Sequence, residues 1–538
     1  MSGHIEFPGT PSTVPKRYTV STAFTWLCPL AVLVVAGSVY FLCLSNHLTQ
    51  DSIAYIRSAI TGEELLHPHH LLYNPLMRIV AVLLDGARIE TIVAALQYAN
   101  IVITLIAVLI VWFVVRRIGA PVWAAAVYTL FFALSGGLLV YSSQVEVYTV
   151  TVLFLAVAVL GLVNARSPWA PVLAAGGWFA AMLFHQTAIF FGIALIVHEM
   201  LKTGRSSCRR VVVIAGLPLV AIGVVYLTVC WFHHCSTLFE CWQWITSYAQ
   251  VGTWAKGTIS CDTFNQGFGG MFEALGSGRG KRVAGLIGFI VAACILVDRR
   301  HVIENKALVG ACSAWCAVQG IFSLWWFASN VEFWIFLLFP LTLCMAALAY
   351  SRKPLPRRSL TGMLAVAPII LIIFFGVLSA FDHYQRNSRP NRSMFRVARC
   401  AAEVAQKDTV ITADNELKQY CRLYLQAERV MAFNLQIARQ AIEYPGEASF
   451  TQNFISVLAD EVRRANQHGA AVFIDRRIIQ GTLNPIRLMS NFEADVFCRS
   501  IPTVFKSIPL KGQEPQWYEI QVLAEPAQAS VYGFGHKE

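Results

Sequence analysis

The stretch 46–84, NHLTQDSIAYIRSAITGEELLHPHHLLYNPLMRIVAVLL, lies between the first long apolar run of the chain and the next. Its first part carries Asp51, Arg57, the pair Glu63-Glu64 and the histidines His67, His69 and His70. Charge and imidazole beside a membrane span are costly to place and usually mark a site. Its last part, Leu71 to Leu84, decides the topology, because counting it as a span reverses every later connection. With about 14 residues and Arg78 at its middle, it falls short of the roughly 20 apolar residues a span needs and reads as an interfacial or re-entrant helix.

Composition sets the solvent. The 538 residues are 56% hydrophobic and 14% charged, with a mean hydropathy of +0.55. A soluble domain carries about 25% charged residues, which makes this an integral membrane protein. The net charge of +11 does not point to nucleic acid, because most Lys and Arg punctuate apolar runs, where they set membrane orientation. The sequence shows neither a Walker phosphate loop nor a Gly-x-Gly-x-x-Gly after a strand, and ATP-driven pumping has no support. Cys28, Cys230, Cys294, Cys312, Cys316 and Cys344 sit in apolar runs and read as small hydrophobes. Cys235, Cys241 and Cys261, and Cys400, Cys421 and Cys498, are disulfide candidates if exported.

Apolar runs long enough to span, or nearly so, occur at 22–44, 91–115, 120–141, 147–163, 169–185, 187–201, 211–231, 283–297, 307–328, 332–350 and 361–380, about eleven in all. Residues 1–21 are polar, with Lys16 and Arg17 before an uncleaved first helix, and form a cytoplasmic N-terminus. With that start, the inner connections hold about sixteen Lys and Arg and the outer ones about seven, as the positive-inside rule requires. Residues 22–381 form the membrane domain, with 46–90 as its first exterior loop. Residues 382–538 are polar and lack a spanning run. Short apolar runs at 408–412, 430–433 and 470–474 alternate there with helical patterns such as 453–467, the pattern of an exported α/β domain. Asp414 and Asp475 close two of those runs and read as strand-end turn residues.

This orientation gathers polar helix ends on the outer side: Asp51 and His67 to His70, Gln144 and Glu146, His185 and Gln186, and Asn330 with Glu332. Any one helix hairpin needs polar residues at its tip. Carboxylate, imidazole and amide at three tight hairpins facing one charged loop point instead to a shared polar site. The loop 232–282 adds interfacial aromatics, Trp242, Trp244, Tyr248 and Trp254, and ends in LGSGRGKR at 275–282. There glycines free the backbone beside Arg279, Lys281 and Arg282, a pattern suited to a lipid phosphate or to anionic headgroups.

Taken in order, these elements resemble the GT-C superfamily of membrane glycosyltransferases, which includes the protein O-mannosyltransferases, the aminoarabinose transferase of lipid A and the lipopolysaccharide-core galacturonosyltransferases. The resemblance rests on Gln50-Asp51-Ser52 with Tyr55 after the first span, on HPHHLLYNP at 67–75, and on Gln144-Val145-Glu146-Val147-Tyr148 at a later outward helix end. It implies a mainly α polytopic membrane protein, GT-C-like, with about eleven transmembrane helices and a C-terminal α/β extracytoplasmic domain. It also implies a polyprenyl-phosphate sugar donor used at the exterior face of a membrane, as in the bacterial inner membrane, with a lipid, glycan or protein acceptor. Asp51 matches the first-loop acidic residue and Glu146 the later outward carboxylate. Ser52 stands where many relatives have a second acidic residue. Without an Asp-x-Asp in this loop no cofactor is certain, although some branches use a divalent metal.

The chemistry asks for a base on the acceptor hydroxyl and for stabilisation of a departing phosphate. Asp51 is the expected base, and it also stands where an N-cap for helix 52–61 is favoured. Arg57, His67, His69, His70, Arg279 and Lys281 are candidates for the phosphate or the sugar. Tyr73, Gln144, Glu146, His185 and Glu332 are candidates for sugar hydroxyls or for orienting the base. A zinc site has only the weak support of His67-x-His69-His70. A secondary transporter or lipid flippase is the competing class. It calls for polar or broken helices near the midplane and for paired halves, whereas these ionisable groups sit at helix ends.

Overall fold

The computed structural model describes residues 22–45, 48–164, 167–203, 208–251, 259–276, 305–350, 377, 409–412, 421, 430–432, 462–475, 505–509 and 517–522. The expected span 283–297, the span 361–380 apart from Val377, and Arg279, Lys281, Arg282 and Asp414 lie outside the described residues.

The first apolar run folds as α1, Thr22–Leu42. Next come α2, Gln50–Thr61, and α3, Tyr73–Val82. At ten residues α3 is about 15 Å long, half the hydrocarbon thickness, and it does not cross. Its Arg78 donates 2.8 Å to the Ala59 carbonyl and bonds the Ile60 carbonyl as well, which satisfies acceptors left open at the end of α2. A cation in the middle of an apolar helix is thereby explained.

Helix α4, Ile89–Ile118, is the longest among the described residues, and α7, Tyr148–Val163, packs against both it and α8, Ala170–Phe184. The α7–α8 seam is set by small residues. A Cβ on Gly161 would come within 2.6 Å of the Ala174 nitrogen, and one on Gly177 within 2.7 Å of the Ala158 nitrogen. Such close backbone approach is how helices gain contact in lipid, where burying apolar surface supplies little drive.

The run 120–141, expected as one span, is broken. It forms α5, Val122–Ala133, and α6, Gly136–Ser142, at 65° to each other. Two glycines follow the break, and a Cβ on Gly136 would stand 2.8 Å from the Glu273 carbonyl oxygen. Carbonyls freed by the bend are taken by side chains: Tyr40 Oη donates to Ala133 at 2.7 Å and Ser135 Oγ to Phe132 at 2.8 Å. The bend survives in an apolar setting because its polar groups are paired.

After α8 a 3-10 turn, Gln186–Phe190, leads into α9, Phe191–Thr203. A short helix, α10 (Cys208–Val211), runs through a π turn, Val212–Gly216, into α11, Leu217–Phe232. Then come α12, Leu238–Val251, and α13, Cys261–Leu275. The last pair, α14 (Lys306–Phe327) and α15 (Val331–Ala349), pack on one another, α14 also on α9 and α15 also on α13. Cys230, expected to act only as a small hydrophobe, is disulfide-bonded to Cys241, which joins the end of α11 to α12.

Four described helical segments are long and apolar enough to cross a membrane: Ile89–Ile118, Val212–Phe232, Lys306–Phe327 and Val331–Ala349; the bent pair α5–α6 makes a fifth. Leu217, Val220, Val224 and Leu227 on α11 and Leu27, Leu30 and Val34 on α1 are exposed, as lipid-facing residues are. The architecture is mainly α and polytopic.

Toward the C-terminus five strands form one mixed sheet: β1 Thr409–Thr412, β2 Val430–Ala432, β3 Val472–Asp475, β4 Phe505–Pro509 and β5 Trp517–Val522, in the order β2-β1-β3-β5-β4. β1 pairs in parallel with β2 and β3, while β5 runs antiparallel to both β3 and β4. Residues 462–467, directly before β3, are helical.

Candidate active site

The start of α2 supplies the first part. Thr49, not Asp51, is the N-cap: its side chain accepts from the Ser52 amide at 3.0 Å. The correction has a simple cause. A cap hydroxyl must sit one residue outside the helix, and Asp51 is already in the first turn, where its charge suits the helix N-terminus. Asp51 is half-buried. Burial first, and then the nearby charge of Glu332, raise its pKa to about 7.

The tip between α6 and α7 supplies the second part. Glu146 is fully buried; its Oε1 accepts from Ser52 Oγ at 2.9 Å and from Thr49 Oγ1. Oε2 has no hydrogen-bond partner among the described residues. Burial, with the charges of Glu332 and Asp51, pushes its pKa well above the usual carboxylate range, and the two hydroxyls only partly offset this. Gln144 Oε1 accepts from the Thr49 amide at 3.4 Å and from Ser52 Oγ at 3.3 Å.

This tip is held from below by α4. Gln97 Nε2 donates at 2.9 Å to the carbonyls of both Ser45 and Ser143. Asn100 Nδ2 donates to those of Tyr141 at 2.9 Å and Gln144 at 2.8 Å. Two buried amides thus replace the water that backbone at a hairpin would otherwise need. Sequence reading missed Thr49, Gln97 and Asn100. The signal was present: Gln97, Asn100 and Thr104 stand three and four residues apart, on one face of an apolar helix.

At the start of α15, Asn330 caps the helix by accepting from the Glu332 amide at 3.1 Å. Glu332 Oε2 accepts from Tyr148 Oη at 2.9 Å and Asn330 Nδ2 at 3.0 Å.

The histidine turn closes the cluster. The His70 amide donates to the His67 carbonyl at 3.0 Å, and the 67 and 70 rings stack at 5.4 Å. His70 Nε2 lies 2.9 Å from Tyr55 Oη, and its ring is 5.2 Å from that of His185. His185 Nδ1 accepts from the Thr187 amide at 3.2 Å, and His67 Nδ1 from the His69 amide at 3.3 Å. Both rings therefore carry their proton on Nε2. Burial lowers the pKa of His67, lowers that of His69 to about 4 and lowers that of His70 well below the usual imidazole range. These imidazoles are neutral N–H donors at pH 7. Tyr73 is buried with its ring 5.0 Å from that of Tyr55, and its hydroxyl has no hydrogen-bond partner among the described residues.

The structure thus brings Asp51, Gln144, Glu146 and Glu332 into one electrostatic neighbourhood and joins His67, His69, His70, Tyr73 and His185 to it through Tyr55 and Tyr148. It does not bring Arg57 there. Arg57 is exposed and pairs with Glu63 at 3.1 Å; it stands six residues after Asp51, about 120° round the helix from it. Among the described residues no group of three or more His, Cys, Asp or Glu is arranged to hold a metal ion. Glu146 Oε1 and Glu332 Oε2 are committed to hydroxyl, phenol and amide donors.

No family model and no curated protein matches the chain. Among solved structures, ArnT from Cupriavidus metallidurans in the apo state is similar, with TM-score 0.55 and 13% identity over 93% of this chain and 98% of that chain. The same protein bound to undecaprenyl phosphate has TM-score 0.53 and 12% identity over the same shares, 93% and 98%. The Archaeoglobus fulgidus oligosaccharyltransferase in complex with Zn and sulfate has TM-score 0.52 and 12% identity, covering 91% of this chain and 72% of that one. The likeness is one of fold.

Proposed function

We propose that the chain is a membrane glycosyltransferase that moves a sugar from a polyprenyl-phosphate-linked donor to an acceptor hydroxyl at the exterior face, with Asp51 as general base. The observation that carries this reading is the half-buried Asp51, its pKa raised to about 7, beside Glu332 and above the Glu146 cluster. A base works best when its pKa lies near the working pH. The GT-C fold, shared with a protein that binds undecaprenyl phosphate, supports the choice of donor.

In this mechanism Asp51 takes the proton of the acceptor hydroxyl as that oxygen bonds to the anomeric carbon. The bond from that carbon to the lipid phosphate oxygen breaks, and its electron pair leaves with the phosphate. His67 and His185, both protonated on Nε2, donate to phosphate or sugar oxygens as neutral groups. Glu146, kept protonated by burial, and Tyr73 hold sugar hydroxyls; Gln144 and Glu332 orient the groups around the base. Arg279 and Lys281 neutralise the lipid phosphate, and Arg279→Ala with Lys281→Ala is expected to weaken donor affinity. The acceptor is a lipid, glycan or protein hydroxyl, and the C-terminal region faces the periplasm or cell exterior. The test is radiolabelled sugar transfer from a lipid-linked donor in membranes. Asp51→Asn abolishes transfer if the reading holds, and turnover by that variant removes Asp51 from the base role.

A further inference from the structure

The carbonyl of Pro68, at the centre of the histidine turn, accepts two hydrogen bonds. One comes from Gln186 Nε2 at 2.8 Å, beside the active-site His185. The other comes from Tyr226 Oη at 2.6 Å, on α11, which contributes no other group to the site described above. Tyr226 is buried, and its ring meets that of Trp244 on α12 at 6.3 Å in a T-shaped contact. One turn beyond Tyr226 stands Cys230, whose disulfide to Cys241 fixes α12 to α11 three residues before Trp244. On its other face α12 exposes Leu238, Phe239 and Trp242, which continue the lipid-facing surface of α11 through Trp231 and Phe232. The helix has the form of an interfacial helix, anchored in lipid outside and seated on Tyr226 inside.

We propose that Tyr226 is a positioning residue for the histidine turn, and that α12, tethered by the Cys230–Cys241 disulfide, holds Tyr226 in place through Trp244. Pro68 has no N–H of its own to donate, so its carbonyl is the one backbone group through which the rest of the fold can hold that residue. Tyr226 and Gln186 approach that acceptor from different helices and together define where His67, His69 and His70 point. The tether keeps the ring of Tyr226 covered by an aromatic that stays in place while the disulfide is intact. The device belongs on an exterior face, where disulfides persist.

The placement of the turn stands apart from the transferase reading; only its kinetic consequence rests on that reading. The test uses the full chain in lipid nanodiscs, labelled with diethyl pyrocarbonate and mapped by peptide mass for His67, His69 and His70. Tyr226→Phe removes the donor and keeps the ring on Trp244. It is expected to raise labelling of the turn about fivefold, the scale of one lost hydrogen bond. Reducing the disulfide of the parent protein is expected to do the same without any substitution, while Cys230→Ser with Cys241→Ser labels fast with or without reductant. Parental labelling in Tyr226→Phe overturns the Tyr226 link, and parental labelling after reduction overturns the tether. If labelling rises and the donor KM rises with it while kcat holds, the turn positions the donor. If labelling rises and transfer kinetics do not move, the positioning stands and the histidines lose their role in donor binding.

Discussion

Asp51 sets the pH dependence of the proposed reaction. Its carboxyl titrates near 7 in the folded chain, against about 3.9 for an unperturbed aspartate, and only the ionised form accepts a proton. Transfer should therefore rise with pH through about 7. Glu332→Gln removes a neighbouring negative charge and should move that midpoint to lower pH; a pH profile of kcat/KM for both proteins decides it. The stability sign is the reverse of an ordinary salt-bridged aspartate. A raised folded pKa means the folded state holds the proton more tightly, and stability falls as pH climbs from about 4 to 7. Asp51→Asn should be no less stable than the parent at pH 8, as read by melting in detergent. Glu146 separates charge from shape. Glu146→Gln keeps an oxygen for Thr49 and Ser52 and should fold normally with reduced transfer. Glu146→Ala removes the carboxylate acceptor shared by the hydroxyls of Thr49 and Ser52 and should cost about 1–3 kcal/mol.

At the scale of elements, the seams between helices carry the site. α7 begins at Tyr148 and α8 ends just before His185, and the two rings meet at 5.3 Å. Gly161 and Gly177 let those helices touch backbone to backbone. Gly177→Val must push them apart, and we expect a loss of about 1–3 kcal/mol together with lowered transfer, measured by thermal melting and assay. Asn100→Leu keeps the apolar bulk of α4 but unpairs the carbonyls of Tyr141 and Gln144. It should loosen the Glu146 tip, read as faster amide hydrogen exchange across 141–147 with exchange at α8 unchanged. The broken run 120–141 shows what apolar periodicity alone misses. Mean hydropathy is the same for a straight and a bent helix. The bend depends on Tyr40, far away in sequence, reaching the Ala133 carbonyl, and on Gly136 meeting the backbone at Glu273.

For the whole molecule, the proposed orientation places α2, α3 and the Cys230–Cys241 disulfide outside and Arg116-Arg117 inside. Cysteine introduced at the exposed Asp85 should react with an impermeant maleimide in intact cells, and cysteine at Arg117 only after permeabilisation. The opposite pattern would invert the protein and remove the exterior site. At this scale the polar groups read as one cluster from their places in the chain do meet: the tips at 144–146, 185–186 and 330–332 converge on the start of α2 and the histidine turn.

The amino-acid sequence by itself determined the solvent, the apolar runs and the polar tips, because hydropathy and charge placement are local properties that a membrane sorts directly. It marked Asp51 and the histidines as out of place in an oily chain. It did not determine which of those groups would be ionised, which would be committed to a neighbour, or which would turn away. Arg57 reads as a site residue beside Asp51 and faces outward once the helix is wound, and Cys230 reads as apolar filler until Cys241 lies beside it. The tertiary structure alone decided these, because burial and hydrogen bonding are set by partners tens to hundreds of residues away. Thr49 with Glu146, Asn100 with Gln144, and Tyr226 with Pro68 have no local signal that names the pair.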